Sequence, residues 1–219
     1  HEMRNNDPSH DWLHVNRVVR LVQTIAKEEK YEGDWELLTL SAIMHDVGDW
    51  KYAAGGDERA GVNAVEAFLT SHDYPLDKTK RVCHIVNDVS FKNELSRPSD
   101  YIFSQESKIV QDADRLDAIG AIGIARTFAY GATKCSPFYG DASFGQSINT
   151  TLTKEDYMKR STQKQPVVDH FYDKLFKLRD LMKTGTGRRL AESRHQAMVE
   201  FIQQMRDEVD DGTNPPGDT

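Results

Sequence analysis

Cysteine is scarce in this 219-residue chain: only Cys83 and Cys135 occur, far apart and without a Cys-x-x-Cys spacing. A disulfide scaffold needs several cysteines, and a thiolate zinc site needs closely spaced pairs of them. The sequence therefore predicts neither feature. It favours a reducing compartment, and we expect the protein to be cytoplasmic.

Long apolar runs are also lacking. No stretch approaches the roughly 18 apolar residues that a membrane-spanning helix needs, and no signal-peptide pattern precedes the first predicted helix. Membrane association is therefore not expected.

Positive charge is in deficit. Lysine and arginine total 28 against 35 aspartates and glutamates, which gives a formal net charge of -7. This balance argues against a nucleic-acid groove, because such a groove needs a basic stripe. It leaves room for a small basic pocket that binds one nucleotide.

Apolar residues recur every three to four positions along most of the chain, which is the period of an amphipathic helix. No strand pattern and no internal repeat interrupts them. An apolar content of 38% suffices for one core. The sequence predicts an all-α, single-domain helical bundle over residues 7–209. Its chemistry-bearing motifs fall within 9–130, its supporting C-terminal helices within 153–209, and a disordered tail follows at 210–219.

A histidine and an aspartate stand side by side, at His45 and Asp46, near the end of a helix predicted over about 35–47. Leu38, Ala42 and His45 share one helical face, so His45 should point into the core with Asp46 close to it. A buried imidazole and carboxylate are costly unless something pairs with them. The pair is therefore the first candidate for metal binding.

Two more residues of ligand type fall on inward helical faces: His14 on the first helix and Asp114 on a helix predicted to begin near Glu106. Each alone has an ordinary interpretation, because His14 could be a core histidine and Asp114 a solvent-facing acid. Together with His45 and Asp46 they make a set of two imidazoles and two carboxylates. Such a set suits one divalent metal, and a metal-activated water serves phosphoester or phosphoanhydride hydrolysis.

The order His14, His45-Asp46, Asp114 resembles the H…HD…D signature of the HD-domain metal-dependent phosphohydrolase superfamily. Residues 9–18, 45–51, 90–92 and 111–131 further resemble its small YpgQ- and YedJ-like branch, over most of residues 9–205. The resemblance implies an all-helical HD-domain fold and a metal site at these four residues. The metal is expected to be manganese, with magnesium, iron, cobalt, nickel or zinc as alternatives.

In YpgQ-like members the activity is manganese-dependent pyrophosphohydrolysis, in which a nucleoside triphosphate yields the monophosphate and pyrophosphate. The resemblance therefore implies a small-molecule nucleotide substrate. Two alternatives stay open: a nucleoside 5'-monophosphatase, and a non-catalytic protein that senses nucleotide or metal. The supporting helices could also form a homodimer interface, which the sequence does not establish.

Five further residues are predicted to act in catalysis or in substrate binding. Asp49 lies one turn after His45, where related nucleotidases place an acid, and is predicted to be a general acid or base. Its ordinary alternative is a loop cap. Four basic residues are predicted to contact substrate phosphates: Arg17, Lys51, Lys92 and Arg115. Their ordinary alternative is a solvated or ion-paired surface position.

Some residues near these motifs remain ambiguous. His84 and Asp88 have an i, i+4 spacing that can serve a metal, but we interpret them as pocket lining or structural. Asp11 and His10 could orient the His14 ring, and Asp11 could equally favour a helix N-terminus. The aromatic-bearing segment 131–151 is predicted to be a loop that acts as a lid or contacts the base of the substrate.

Overall fold

The computed structural model of the chain describes residues 11–47, 59–145, 153 and 164–211. These ranges hold helices and no strand, which confirms the all-α prediction. The α-helices are α1 Trp12–Glu28, α2 Trp35–Met44, α3 Ala60–Ser71, α4 Leu76–Val89, α5 Phe91–Glu94, α6 Gln105–Asp117, α7 Gly120–Thr133, α8 Asp169–Asp173 and α9 Gly185–Asp211. Short 3-10 turns lie at Ser143–Gly145 and Leu175–Lys177.

Helix α1 begins at a capped N-terminus. The carboxylate of Asp11 accepts the backbone N–H of His14 at 2.9 Å, so Asp11 has the capping role rather than a contact with the His14 ring. His14, Val18 and Val22 lie on the buried face of the helix, at intervals of four residues. The periodicity of α1 thereby places the His14 imidazole inside the protein.

Helix α2 is capped by Asp34, whose carboxylate accepts the backbone N–H of Leu37 at 3.0 Å. The helix ends at Met44 and not at Val47 as the sequence predicts. The backbone N–H of Val47 donates to the Met44 carbonyl at 3.1 Å, an i to i+3 bond that closes a tighter turn. His45 and Asp46 therefore lie in a turn at the end of α2.

Helix α6 lies at the centre of the fold, because it packs against α1, α2, α4, α7 and α9. Ile109, Val110, Ala113 and Leu116 of this helix are fully buried among them. A polar residue of α6 can therefore reach α1 and the end of α2, which is where the predicted histidines lie.

The C-terminal part differs from the sequence prediction. A single helix is predicted from Pro166 to about Met182, but the chain forms only α8 and a 3-10 turn. The break falls at Lys174, whose φ of -136° is not helical. Conversely, the last helix runs from Gly185 to Asp211, two residues longer at each end than predicted.

No helix in the part of the chain that the structure describes is long and apolar enough to cross a membrane.

Candidate metal centre

Four predicted ligands from three separate segments meet at one point. His14 Nε2 lies 3.2 Å from both His45 Nε2 and Asp46 Oδ2, and 3.7 Å from Asp114 Oδ1. His45 Nε2 lies 3.7 Å from Asp46 Oδ1 and 3.6 Å from Asp114 Oδ1. The side chains of both histidines are fully buried, whereas Asp46 and Asp114 remain 17% and 27% exposed. The cluster is therefore internal but open on its carboxylate side.

The two imidazoles are held by their other nitrogens. His14 Nδ1 lies 2.8 Å from Asp117 Oδ2, and His45 Nδ1 lies 2.8 Å from the carbonyl oxygen of Ala42. A carboxylate and a carbonyl can only accept, so each Nδ1 must donate a proton. Both Nε2 atoms therefore face the same point, which is how histidine presents a lone pair to a metal.

Asp117 collects donors from two helices besides its own. Arg17 on α1 donates through Nε to Oδ1 at 2.6 Å and through Nη2 to Oδ2 at 3.0 Å. Arg126 on α7 donates through Nη1 to Oδ2 at 2.9 Å. Burial raises the pKa of Asp117, but the hydrogen bonds from His14 and Arg17 outweigh it and hold that pKa well below its usual range. Asp117 is therefore ionised at neutral pH.

Opposite charges dominate the centre itself. Burial lowers the pKa of His45, whereas the neighbouring carboxylates of Asp46 and Asp114 raise it, and the result is a pKa of about 9. Burial raises the pKa of Asp114, but the hydrogen bond and charge of His45 lower it to about 2. In the metal-free protein at neutral pH, a His45 imidazolium therefore balances part of the carboxylate charge.

The donor set fits a divalent metal. Ligand atoms of His14, His45 and Asp114 lie within 4.8 Å of one another. Ligands about 2.0–2.2 Å from one ion are separated from each other by about 3–4 Å, which is the range of the distances between these side chains. Imidazole nitrogen together with carboxylate oxygen suits manganese, iron, cobalt, nickel or zinc. The cluster can therefore hold one such ion.

Arg17 and Arg115, two of the basic residues predicted to contact phosphate, lie in different surroundings. Arg17 reaches Asp117 and keeps 31% of its side chain exposed beside the cluster. Arg115 is 3% exposed, forms an ion pair with Glu94 and donates from Nη1 to the Leu181 carbonyl at 2.8 Å. Lys92 is also 3% exposed.

Asp49 and Lys51 lie outside the residues that the structure describes, so their roles stay predictions.

His84 and Asp88 do not join the centre in the described structure. The Asp88 carboxylate is fully buried, where Arg97 Nη2 donates to Oδ1 at 2.5 Å and the Tyr101 hydroxyl donates at 2.9 Å. His84 lies 3.4 Å away and is 55% exposed. These contacts match the structural interpretation of Asp88, which anchors the segment after α5.

Two backbone hydrogen bonds hold the segment that follows α7. The backbone N–H groups of Val167 and Val168 donate to the carbonyls of Pro137 and Phe138, both at 2.9 Å. The Phe138 ring also meets Phe128 edge to face, with centroids 5.3 Å apart. Residues 146–152 of the predicted lid lie outside the described part, so the lid stays a prediction.

Sequence reasoning overlooked Asp117 and Arg126. Asp117 lies three residues after Asp114, on the same face of α6, and that spacing was the available signal. Arg126 has no such signal, because its contact depends on how α7 folds back against α6. An all-helical bundle with an internal set of histidines and aspartates defines a class of protein: a helical protein with a candidate divalent-metal centre.

Comparison with known proteins narrows this class. The HD domain family matches residues 12–119, which include all four clustered side chains. The chain is 34% identical over 207 residues to the uncharacterised protein YpgQ of Bacillus subtilis, covering 94% of this chain and 88% of YpgQ. The chain belongs to the HD-domain family of metal-dependent phosphohydrolases.

Solved structures agree with this assignment. A Lactobacillus plantarum protein superposes with a TM-score of 0.80 at 32% identity, covering 94% of this chain and 91% of that one. Bacillus subtilis YpgQ in complex with ADP gives 0.67 at 31% identity, covering 95% and 94%. An HD-superfamily hydrolase from Bacillus thuringiensis gives 0.63 at 34% identity, covering 96% and 92%.

Proposed function

We propose that this protein hydrolyses nucleoside or deoxynucleoside triphosphates to the monophosphate and pyrophosphate, with manganese as its metal. The observation that carries the proposal is the convergence of His14, His45, Asp46 and Asp114, with both Nε2 atoms turned to one point. A centre of this composition within an HD-domain hydrolase is suited to cleavage of a phosphorus–oxygen bond.

The four clustered residues would act as the metal ligands. His14 and His45 would hold the ion through Nε2, and Asp46 and Asp114 through carboxylate oxygens. When bound, the ion supplies a Lewis acid for a phosphoryl oxygen and lowers the pKa of a coordinated water. Asp46 and Asp114 form the exposed side of the cluster, which is where a substrate phosphate can approach.

Two observations support a nucleotide substrate. YpgQ, which is similar over nearly the whole chain, has been crystallised in complex with ADP, a molecule with a phosphoanhydride. In this chain Arg17 lies beside the cluster with 31% of its side chain exposed, which supports a contact with a phosphate as well as with Asp117. Asp49 is proposed as the general acid or base, and Lys51 as a further phosphate contact.

The test is a product analysis on a panel of nucleoside mono-, di- and triphosphates with added Mn(II). We expect triphosphates to give the monophosphate and pyrophosphate. In water enriched in oxygen-18, the label should enter the monophosphate, because attack at the α-phosphorus places the water oxygen there. Release of orthophosphate from monophosphates alone would instead establish the monophosphatase.

Matched histidine variants test the centre. His45→Ala should lose bound manganese and at least a hundredfold in turnover. His84→Ala removes a histidine that is 55% exposed and outside the cluster, so it should keep both properties. Equal turnover by wild type and His45→Ala would contradict the proposed mechanism. Bound metal without turnover on the whole panel would favour the sensor alternative.

A further inference from the structure

We propose that Asp117 is a positioning residue of the metal centre, which fixes the tautomer and orientation of the His14 ring so that Nε2 faces the ion. The inference rests on the proposed metal-binding role of His14. Asp117 would have this function without touching the metal, because its carboxylate contacts His14 Nδ1, on the opposite side of the ring from Nε2.

The first support is the set of groups around Asp117. Its side chain is 2% exposed, and both oxygens are occupied by donors: His14 Nδ1, Arg17 Nε and Nη2, and Arg126 Nη1. Arginine nitrogens donate and cannot accept. Asp117 therefore acts as acceptor in every one of these contacts, so a proton must lie on His14 Nδ1.

The second support is the comparison between the two histidines. His45 is oriented in the same manner by the backbone carbonyl of Ala42 at 2.8 Å, a contact that no side-chain substitution removes. His14, on the regular helix α1, instead depends on a carboxylate from α6, 103 residues away in sequence. The ring of His14 is therefore the one whose orientation a single substitution can change.

The substitution Asp117→Asn makes the proposal specific. An asparagine offers one acceptor oxygen and an NH₂ group of similar size. Oδ2, the oxygen that faces His14 Nδ1, also accepts from Arg17 Nη2 and Arg126 Nη1, whereas Oδ1 accepts only from Arg17 Nε. The asparagine oxygen would therefore take the Oδ2 position, and the NH₂ group would face the Arg17 Nε donor. His14 Nδ1 would then donate to a neutral amide oxygen, which holds its proton and the ring less firmly than a carboxylate does.

The first measurement is the affinity of the metal-free protein for Mn(II) by calorimetry or electron paramagnetic resonance. Asp117→Asn should bind Mn(II) about 10–100-fold more weakly than wild type. The matched control is Asp112→Asn, a fully buried carboxylate on the same helix whose partners are Lys183 and Thr184. It should lower stability while leaving the affinity for Mn(II) within about threefold of wild type.

The second measurement reads the tautomer directly. Nitrogen-15 spectra of the imidazoles should show a proton on His14 Nδ1 in the metal-free wild type, and the same proton with zinc coordinated through Nε2. Metal-free Asp117→Asn should show a larger share of the proton on Nε2 than wild type, because a neutral amide oxygen holds the Nδ1 proton less firmly than a carboxylate. The wild-type spectra test the proposal even where the variant does not fold.

The outcomes are distinct. A bare Nδ1 in wild type, or an affinity for Mn(II) that falls equally in Asp117→Asn and Asp112→Asn, overturns the positioning role. A wild type that binds no Mn(II) overturns the metal centre of the proposed function, while the tautomer in the metal-free protein still decides the role of Asp117. A selective loss of affinity in Asp117→Asn together with the displaced proton supports the proposal.

Discussion

Gly187 leaves no space between helix α9 and the carboxylate of Asp112. A Cβ atom placed on Gly187 would lie 2.3 Å from Asp112 Oδ2 and 2.8 Å from Thr184 Oγ1. The same carboxylate accepts the backbone N–H groups of Lys183, at 2.9 and 3.1 Å, and of Thr184, at 2.7 Å. The start of α9 is therefore held against α6, the helix that carries Asp114.

Gly187→Ala should destabilise the protein by about 1–3 kcal/mol, because the added methyl group must displace a hydrogen-bonded carboxylate. Alanine would otherwise favour a helix by about 1 kcal/mol. The control is Gly185→Ala, whose nearest contact would be an ordinary 3.5 Å to Glu29 Oε1. Urea unfolding of both variants is the measurement. Equal stability of the two alanine variants would show that the close contact is relieved without cost.

The four clustered side chains could be predicted because each depends on local order. Helical periodicity places His14 and Asp114 on inward faces, and His45 and Asp46 are adjacent in the chain. The direction of each segment then brings the four together once the helices pack. The all-α fold follows from the same periodicity.

The partners of Arg115 could not be predicted in the same way. A long side chain can reach several possible partners. The packing of helices far away in sequence decides which of them it contacts. Arg115 follows Asp114 directly, yet it points to Glu94 and Leu181 because one residue along a helix is a rotation of about 100°. Arg126 escaped prediction for a related reason, since its contact with Asp117 is set by the packing of α7 against α6.

Binding of the metal should release a proton near neutral pH. The pKa of His45 rises from 6.5 to about 9 in the metal-free protein, so the ring is protonated at pH 7 and must lose that proton to act as a ligand. Calorimetry of Mn(II) binding in buffers of different ionisation enthalpy should give about one proton at pH 7, and fewer as the pH rises through about 9. A pH-independent count of zero would contradict the raised pKa.

The stability of the metal-free protein should change between pH 6.5 and about pH 9. A pKa that is higher in the folded protein than in the unfolded chain stabilises the fold below pH 6.5, and this contribution disappears as the pH rises through about 9. The free energy of unfolding should therefore fall between these values. His45→Ala should remove this part of the dependence of the unfolding free energy on pH. The same dependence in wild type and in His45→Ala would contradict the assignment to His45.

Arg17 can be assigned by separating metal binding from substrate binding. Its two donors to Asp117 indicate that Arg17→Ala weakens Mn(II) binding severalfold, because Asp117 then holds His14 less firmly. A phosphate contact predicts a second effect, a rise in KM for the triphosphate under saturating Mn(II). If only KM changes, Arg17 acts on substrate alone. If only metal affinity changes, the predicted phosphate contact is wrong.

Arg97 should be important for stability although it lies outside the centre. Its side chain is 11% exposed, and Nη2 donates to Asp88 Oδ1 at 2.5 Å. Arg97→Ala would leave the fully buried Asp88 carboxylate without its cation, which costs about 3–5 kcal/mol in free energy of unfolding. Urea unfolding measures this cost, and the remaining hydrogen bond from Tyr101 places the expected value toward the lower end.

The control for Arg97 is Arg81→Ala, which removes an arginine from an exposed pair. Arg81 is 51% exposed and lies 2.9 Å from Glu106, so its loss should cost no more than about 1 kcal/mol. Neither substitution touches the clustered ligands, so the affinity for Mn(II) should stay at the wild-type value in both. Loss of affinity in Arg97→Ala without loss of stability would mean that Asp88 communicates with the metal centre, and its structural interpretation would then be wrong.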